Sequence, residues 1–334
     1  MTLEEHVGAT LAVGFPGTEP TRELVEALRQ TRAQSVVVFE RNFASPEQFL
    51  RLIKGLDHAL GRRLFVMVDH EGGRVIRYRT GVTRFPSSIE VGRGRPDDAE
   101  QQGLTEAREL LALNTHVNLT PCVDVLQPGC DPVIGDRSYG EDPFRVAAFG
   151  VARIRGLQEG GVAACAKHYP GLGAVGRDPH KRLPTIDLDE AAMRRTHLPP
   201  FADAVKAGVA MVMSSHVCYP KLGDPAGLPA TFSPRLIQGW LREELRFAGL
   251  ILSDDLEMGA LRAFGSLGEA AVRAAEAGHD VLLMCSRMEQ WQDACSTLVG
   301  AYRSGRLSLQ ALAASAERVA VAREKFLPKT LPPG

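Results

Sequence analysis

Between Lys167 and His180 the chain places a cation, two imidazoles and a carboxylate in one turn-rich stretch: Lys167-His168-Tyr169-Pro170-Gly171-Leu172-Gly173, then Asp178-Pro179-His180. It begins where the apolar run Val162-Ala163-Ala164-Cys165-Ala166 ends. Pro170, Gly171, Gly173, Gly176 and Pro179 leave no room for a helix or a packed strand. A strand that delivers Lys167 and His168 into a loop carrying a second imidazole beside a carboxylate suits catalysis better than packing. A surface turn with incidental charges is the plain alternative.

Two further carboxylates, Asp69 and Asp254, also follow apolar runs. A carboxylate on rigid backbone at a strand end can serve as a nucleophile or as an acceptor for hydroxyls. Asp69 opens Asp69-His70-Glu71-Gly72-Gly73-Arg74-Val75-Ile76-Arg77, where the glycine pair turns the chain so that Arg74 or Arg77 can reach back. Short carboxylates and guanidiniums hydrogen-bond vicinal hydroxyls in pairs, so a sugar fits this equipment. The competing reading makes Asp69 a helix cap and Arg77 a solvated cation.

The elements that must position these groups repeat regularly. Short apolar runs at 11–15, 35–39, 64–68, 117–125, 162–166, 209–214, 249–253 and 280–284 read as strands buried on both faces, hence parallel. Amphipathic stretches at 21–32, 45–60, 98–114, 143–158, 189–206, 233–246 and 260–277 separate them, and helices at about 288–303 and 308–326 close the chain. Eight such units make a single-domain (β/α)8 TIM-type barrel over 1–334 the economical fold. A doubly wound open sheet would need a G-x-G-x-x-G after the first strand, and Gly14-Phe15-Pro16-Gly17 is not one. In a barrel, Asp69, Asp124, Lys167, His168, His216 and Asp254 all fall at one mouth, the C-terminal end of the strands.

Composition narrows the partners. A net charge of -1 without basic blocks argues against nucleic acid and anionic membrane surfaces. The N-terminus lacks the pattern of a secretory signal, and no apolar run approaches the ~20 residues of a membrane span. Six cysteines at irregular spacing, without C-x-x-C, fit buried free thiols in a reducing cytoplasm. No metal or other cofactor is expected, and the molecule is expected to act as a monomer on a small substrate.

At this level of detail the chain resembles family 3 glycoside hydrolases that act as single-domain β-N-acetylglucosaminidases (the NagZ group). The Lys167–Gly173 motif with Asp178-x-His180 carries the likeness. So do Asp69-His70-Glu71-Gly72-Gly73-Arg74-Val75, Ile134-Gly135-Asp136-Arg137-Ser138-Tyr139, Ser215-His216-Val217 and Ser253-Asp254-Asp255-Leu256-Glu257-Met258. The resemblance implies Asp254 as the nucleophile that forms a glycosyl-enzyme, and His180 as acid/base with Asp178 as its partner. It implies that Asp69, Arg77, Arg137, Lys167, His168 and His216 hold the sugar. It further implies N-acetylglucosaminyl-anhydromuramyl peptides from wall recycling as substrates. Pro179 stands where Ser or Thr is usual in the family and stiffens the loop.

The chemistry is coherent: an imidazole with an ordinary pKa of ~6.5 needs little tuning to donate a proton near neutrality. Other readings are a β-glucosidase or phosphorylase of the same family, and a Schiff-base lyase or aldolase using Lys167. A metal-dependent hydrolase would use His70, His168, His180 and His216, but H-x-H and H-E-x-x-H spacings are missing. A non-catalytic sugar-binding protein would leave Asp254 and the loop dyad without a role.

Overall fold

Runs such as Ser35-Val36-Val37-Val38 and Phe65-Val66-Met67-Val68 are too short and too apolar for surface helices, and their β-branched side chains favour the pleated backbone. In the computed structural model, which describes residues 1–176 and 183–327, they form strands. These are β1 (Leu11–Gly14), β2 (Ser35–Val38), β3 (Phe65–Val68), β4 (Val117–Asn118), β5 (Ala163–Tyr169), β6 (Met211–Ser214), β7 (Leu250–Leu252) and β8 (Leu282–Met284). The order β7-β6-β5-β4-β3-β2-β1-β8 is parallel throughout. A parallel Leu252–Val281 bridge joins the two ends, and the Ser253 N–H donates to the Val281 carbonyl at 3.0 Å. The sheet is thereby a nearly closed (β/α)8 barrel, and the open doubly wound alternative fails.

Around it run α1 (Leu3–Ala9), α2 (Arg22–Thr31), α3 (Pro46–Leu60), α4 (Ser88–Val91), α5 (Pro96–Ala112) and α6 (Pro143–Glu159). Then come α7 (Glu190–Thr196), α8 (Leu198–Lys206), α9 (Leu267–Ala277), α10 (Trp291–Arg303) and α11 (Leu309–Phe326). Local chemistry sets their ends. The Ser45 hydroxyl caps α3, Pro46 starts it, and Gly61 ends it at φ 65.

The strands' period of two divides the core. Val37, Phe65, Met67, Cys165, Met213 and Leu283 fill the barrel, whereas Val36, Val38, Val66, Val68, Ala164 and Ala166 pack outward against helices.

Five elements differ from the sequence expectation. The run at 117–125 pairs regularly over only two residues, because Pro121 has no N–H to donate. β5 outlasts its apolar run and carries Lys167, His168 and Tyr169 within the strand. The stretch at 189–206 breaks into α7 and α8 at His197, and that at 260–277 into the 3₁₀ turn Gly259–Phe264 and α9. Arg235–Glu244 winds as a π-helix.

Candidate active site

Because every strand is parallel, all eight C-terminal ends open on one side, and their polar residues converge there. A cavity of about 260 Å³ opens at this mouth. Phe39 after β2, Asp69, Glu71 and Arg77 after β3, Arg137, Lys167 and His168 of β5, Asp254 and Asp255 after β7, and Cys285 after β8 line it. Arg74, the other arginine of the Asp69 motif, turns outward to Asp136 and the carbonyls of Pro132 and Val133.

Lys167 holds the polar side together. Its ammonium lies 2.6 Å from Asp69 Oδ1 and 2.6 Å from Glu71 Oε1. Glu71 also takes two parallel bonds from Arg137, at 2.8 and 2.9 Å. Burial alone would raise the Glu71 pKa; Lys167 and Arg137 outweigh it and hold the carboxyl well below its usual range. Burial likewise opposes the Lys167 charge, but Asp69 and Glu71 prevail and keep the lysine an ammonium. A Schiff-base lysine needs the opposite shift, so the lyase reading loses its nucleophile. Arg77 lies 3.9 Å from Asp69, its guanidinium 5.8 Å from the Phe39 ring centre, and its Nε is buried without a partner.

His168 is oriented from behind. Asp124 Oδ2 accepts its Nδ1–H at 2.7 Å and its backbone N–H at 3.2 Å, while Oδ1 accepts the Leu172 N–H at 2.5 Å. With the proton on Nδ1, the Nε2 lone pair faces the cavity, 3.5 Å from Arg137 Nη2. The Cys122 thiol donates to Asp124 at 3.2 Å. Cys122, Asp124 and His168 are the one group among the described residues spaced to hold a metal. Here thiol and imidazole both aim protons at the carboxylate, which is the geometry of an oriented imidazole.

Across the cavity, Asp254 accepts the Asp255 N–H at 2.8 Å. Burial pushes its pKa up, but His216, His168, that N–H and Lys167 together bring it below the usual value. Asp255 goes the other way. Burial and the neighbouring Glu257 and Asp254 raise it to about 6, although it accepts the N–H groups of Glu257 and Cys285. A carboxylate of lowered pKa thus stands beside one of raised pKa, and the first is the more completely ionised near neutrality.

Of the sequence candidates, Asp69, Arg77, Arg137, Lys167, His168 and Asp254 share the cavity. His216 does not line it: Nδ1 bonds Thr231 Oγ1 at 2.6 Å and Nε2 bonds the Asp255 carbonyl at 2.9 Å. Both nitrogens are engaged, Nδ1 with the segment between β6 and β7 and Nε2 with the turn after β7. Asp178 and His180 lie outside the described residues. The sequence reading missed Glu71 and Phe39 as lining groups, and Asp124 as the support of His168. Asp69 and Glu71 stand two apart, the spacing that keeps side chains on one side of an extended chain, and that signal was available. A larger cavity, about 440 Å³, lies at the other end between α8 and α11, where Val209, Phe247, Leu250 and Phe326 line it together with Arg246, Glu317, Arg318 and Lys325.

A parallel barrel whose mouth gathers carboxylates, guanidiniums, an ammonium and an oriented imidazole around a sugar-sized cavity defines a carbohydrate-processing enzyme. The family profile described as glycosyl hydrolase family 3 N-terminal domain matches residues 2–322, and the chain belongs to that family; it is a glycoside hydrolase. It is 35% identical over 289 residues to a β-hexosaminidase of Methylobacillus flagellatus, spanning 84% of this chain and 82% of that one. A β-hexosaminidase of Thioalkalivibrio sulfidiphilus is 39% identical, spanning 82% and 80%. Among solved structures, a family 3 β-N-acetylglucosaminidase from Paenibacillus superposes with a TM-score of 0.93 at 36% identity, covering all of this chain and 65% of that longer one. NagZ of Neisseria gonorrhoeae, solved with N-trifluoroacetyl-D-glucosamine, gives a TM-score of 0.78 at 31% identity over 94% and 97% of the two chains.

Proposed function

We propose that this chain is a retaining exo-β-N-acetylglucosaminidase. The observation that carries the reading is the pairing across one small cavity. Lys167, fixed by Asp69 and Glu71, stands on one side, and the low-pKa carboxylate Asp254 on the other. The relatives' names supply the sugar: four of the similar proteins above are β-hexosaminidases or bind N-acylglucosamine.

Asp69, Arg77, Arg137, Lys167 and His168 grip the hydroxyls of the terminal sugar. Asp254 attacks the anomeric carbon, and the C–O bond to the leaving group breaks as a proton arrives at the leaving oxygen. His180, with Asp178 at its side, supplies that proton and then takes one from the attacking water. The motifs resemble those of the NagZ group, and a NagZ is among the similar solved structures. Peptidoglycan-derived N-acetylglucosaminyl-anhydromuramyl peptides are therefore the proposed natural substrates, in a cytoplasmic recycling role, with the enzyme acting as a monomer.

Hydrolysis of an aryl N-acetyl-β-glucosaminide, followed by NMR of the first-formed anomer, tests the reaction. The β-anomer is expected, and the α-anomer would exclude a glycosyl-Asp254 intermediate. Running the reaction in phosphate separates hydrolysis from phosphorolysis, which would yield a sugar phosphate in place of free N-acetylglucosamine.

A further inference from the structure

A second buried ion pair lies behind the Asp69–Glu71 turn, and the chemistry above does not use it. Glu106 of α5 and Arg153 of α6 both have side chains 1% exposed. They meet through Arg153 Nε to Glu106 Oε2 at 3.0 Å and Nη2 to both oxygens at 2.5 Å. The helices come this close because glycines face each other. A Cβ on Gly103 would lie 2.7 Å from the Arg153 carbonyl oxygen, and one on Gly156 2.0 Å from that of Glu100. Glu106 follows Gly103 by three residues and Arg153 precedes Gly156 by three, so each charge shares its glycine's face. Glycine within a helix is destabilising relative to alanine, so this approach comes at the expense of helix stability.

The pair reaches forward to the site. Arg153 Nη2 donates to the Glu71 carbonyl at 3.3 Å. Asn118, the last residue of β4, clamps His70 at two points: Oδ1 accepts its N–H at 3.0 Å and Nδ2 donates to its carbonyl at 2.9 Å. The same amide lies 3.4 Å from Glu106 Oε2, and Gln102 donates to Glu106 Oε1 at 3.1 Å. Three backbone groups of the turn are thus fixed from behind, while the Glu71 carboxylate works in front on Lys167 and Arg137.

We propose that Glu106, Arg153 and Asn118 are positioning residues for sugar binding, holding the 70–71 backbone so that Glu71 keeps Lys167 and Arg137 aligned on the substrate. Helix packing alone does not require this arrangement, since apolar residues of similar volume commonly replace a buried ion pair without loss of stability. The bonds to His70 and Glu71 would then have no purpose. The inference rests on the binding roles proposed for Lys167 and Arg137.

The test compares wild type with the double variant Glu106→Leu/Arg153→Met, with Arg153→Lys and with Asn118→Ala. At pH 8 it reads KM and kcat for an aryl N-acetyl-β-glucosaminide, the Kd of free N-acetylglucosamine by calorimetry, and Tm. The double variant is expected to fold, with KM and Kd raised about tenfold or more and kcat within about threefold, the loss of one well-placed polar contact. Arg153→Lys keeps the charge and is expected to fall between. KM and Kd within about twofold of wild type in a folded double variant would overturn the proposal, whatever happens to Tm. If the double variant fails to fold, Asn118→Ala decides, because it leaves the ion pair intact and removes the clamp on His70 together with one long contact to Glu106. Unchanged KM and Kd there would refute the positioning role, and a selective rise would support it. A wild type that neither binds nor hydrolyses the sugar sinks the functional reading, and this inference with it.

Discussion

Glu71 is buried among charges it did not choose for solubility: its side chain is 2% exposed, yet it stays ionised between Lys167 and Arg137. Removing one partner of such a group leaves the others buried and uncompensated, typically a loss of ~3–5 kcal/mol. Glu71→Gln keeps the volume and loses the charge, so Lys167 is left to Asp69 alone. The expected result is a folded protein with kcat/KM lowered about a hundredfold, mostly through KM. A kcat/KM within about threefold of wild type would show that Asp69 suffices. Asp254 and Asp255 pose a sharper choice, since they are adjacent. Asp255 has one oxygen committed to two backbone N–H groups and a raised pKa, whereas Asp254 is the more completely ionised and gives one oxygen to a single N–H. Asp254→Asn should abolish turnover with the fold intact, and a 2-fluoro sugar with a good leaving group should label Asp254 in wild type. Mass-spectrometric mapping of the label to Asp255 would reverse the assignment.

At the scale of elements, the barrel was legible because strands buried on both faces must be apolar, so each polar residue closing such a run marks a strand's end. Asp69 and Asp254 were found that way, and so were Lys167 and His168, although β5 runs on past them to Tyr169. Glu106 and Arg153 were not, because nothing in their own helices says that Gly103 and Gly156 will face each other across α5 and α6. The helix α1 was missed although Thr2 and Glu5 form its capping box, a local signal present in the sequence. The π-winding of Arg235–Glu244 left no trace in the pattern, since Leu236, Ile237, Trp240 and Leu241 keep an ordinary helical apolar stripe. The loop after β5 supplies the remaining test. If His180 is the acid, His180→Ala should slow substrates with poor leaving groups far more than nitrophenyl glycosides, whose phenolate departs with little protonation. Equal losses in kcat/KM across a leaving-group series would assign the proton to another residue.

For the whole molecule, the buried titratable groups set a direction for acid stability. Burial lowers His70 and His279 to about 4 and His116 to about 3, and it lowers His197 and His216 as well. The neutral form of His116 is structural: its Nδ1 accepts the Val66 N–H at 3.2 Å, beside β3 at the barrel's far end from the cavity. As pH falls below 6.5 the unfolded chain protonates these imidazoles and the folded chain does not, so stability declines. Burial raises Asp57 and Asp255 to about 6 and Glu106 to about 7, so between pH 7 and 4 the folded chain gains protons there first, which offsets part of the loss. Five imidazoles against three carboxyls leave a net decline. Below pH 4.5 the offset ends, because the raised carboxyls are protonated in both states. Glu71, Asp124 and Asp254, all lowered, then add their own loss. Each excess proton bound by the unfolded chain changes stability by ~1.4 kcal/mol per pH unit. Calorimetric Tm measured from pH 8 to 4 should therefore fall gently to about pH 5 and steeply below about 4.5. A Tm that holds level or rises between pH 6 and 4 would mean that the buried histidines are protonated in the folded barrel, and that Val66 has lost its acceptor without consequence.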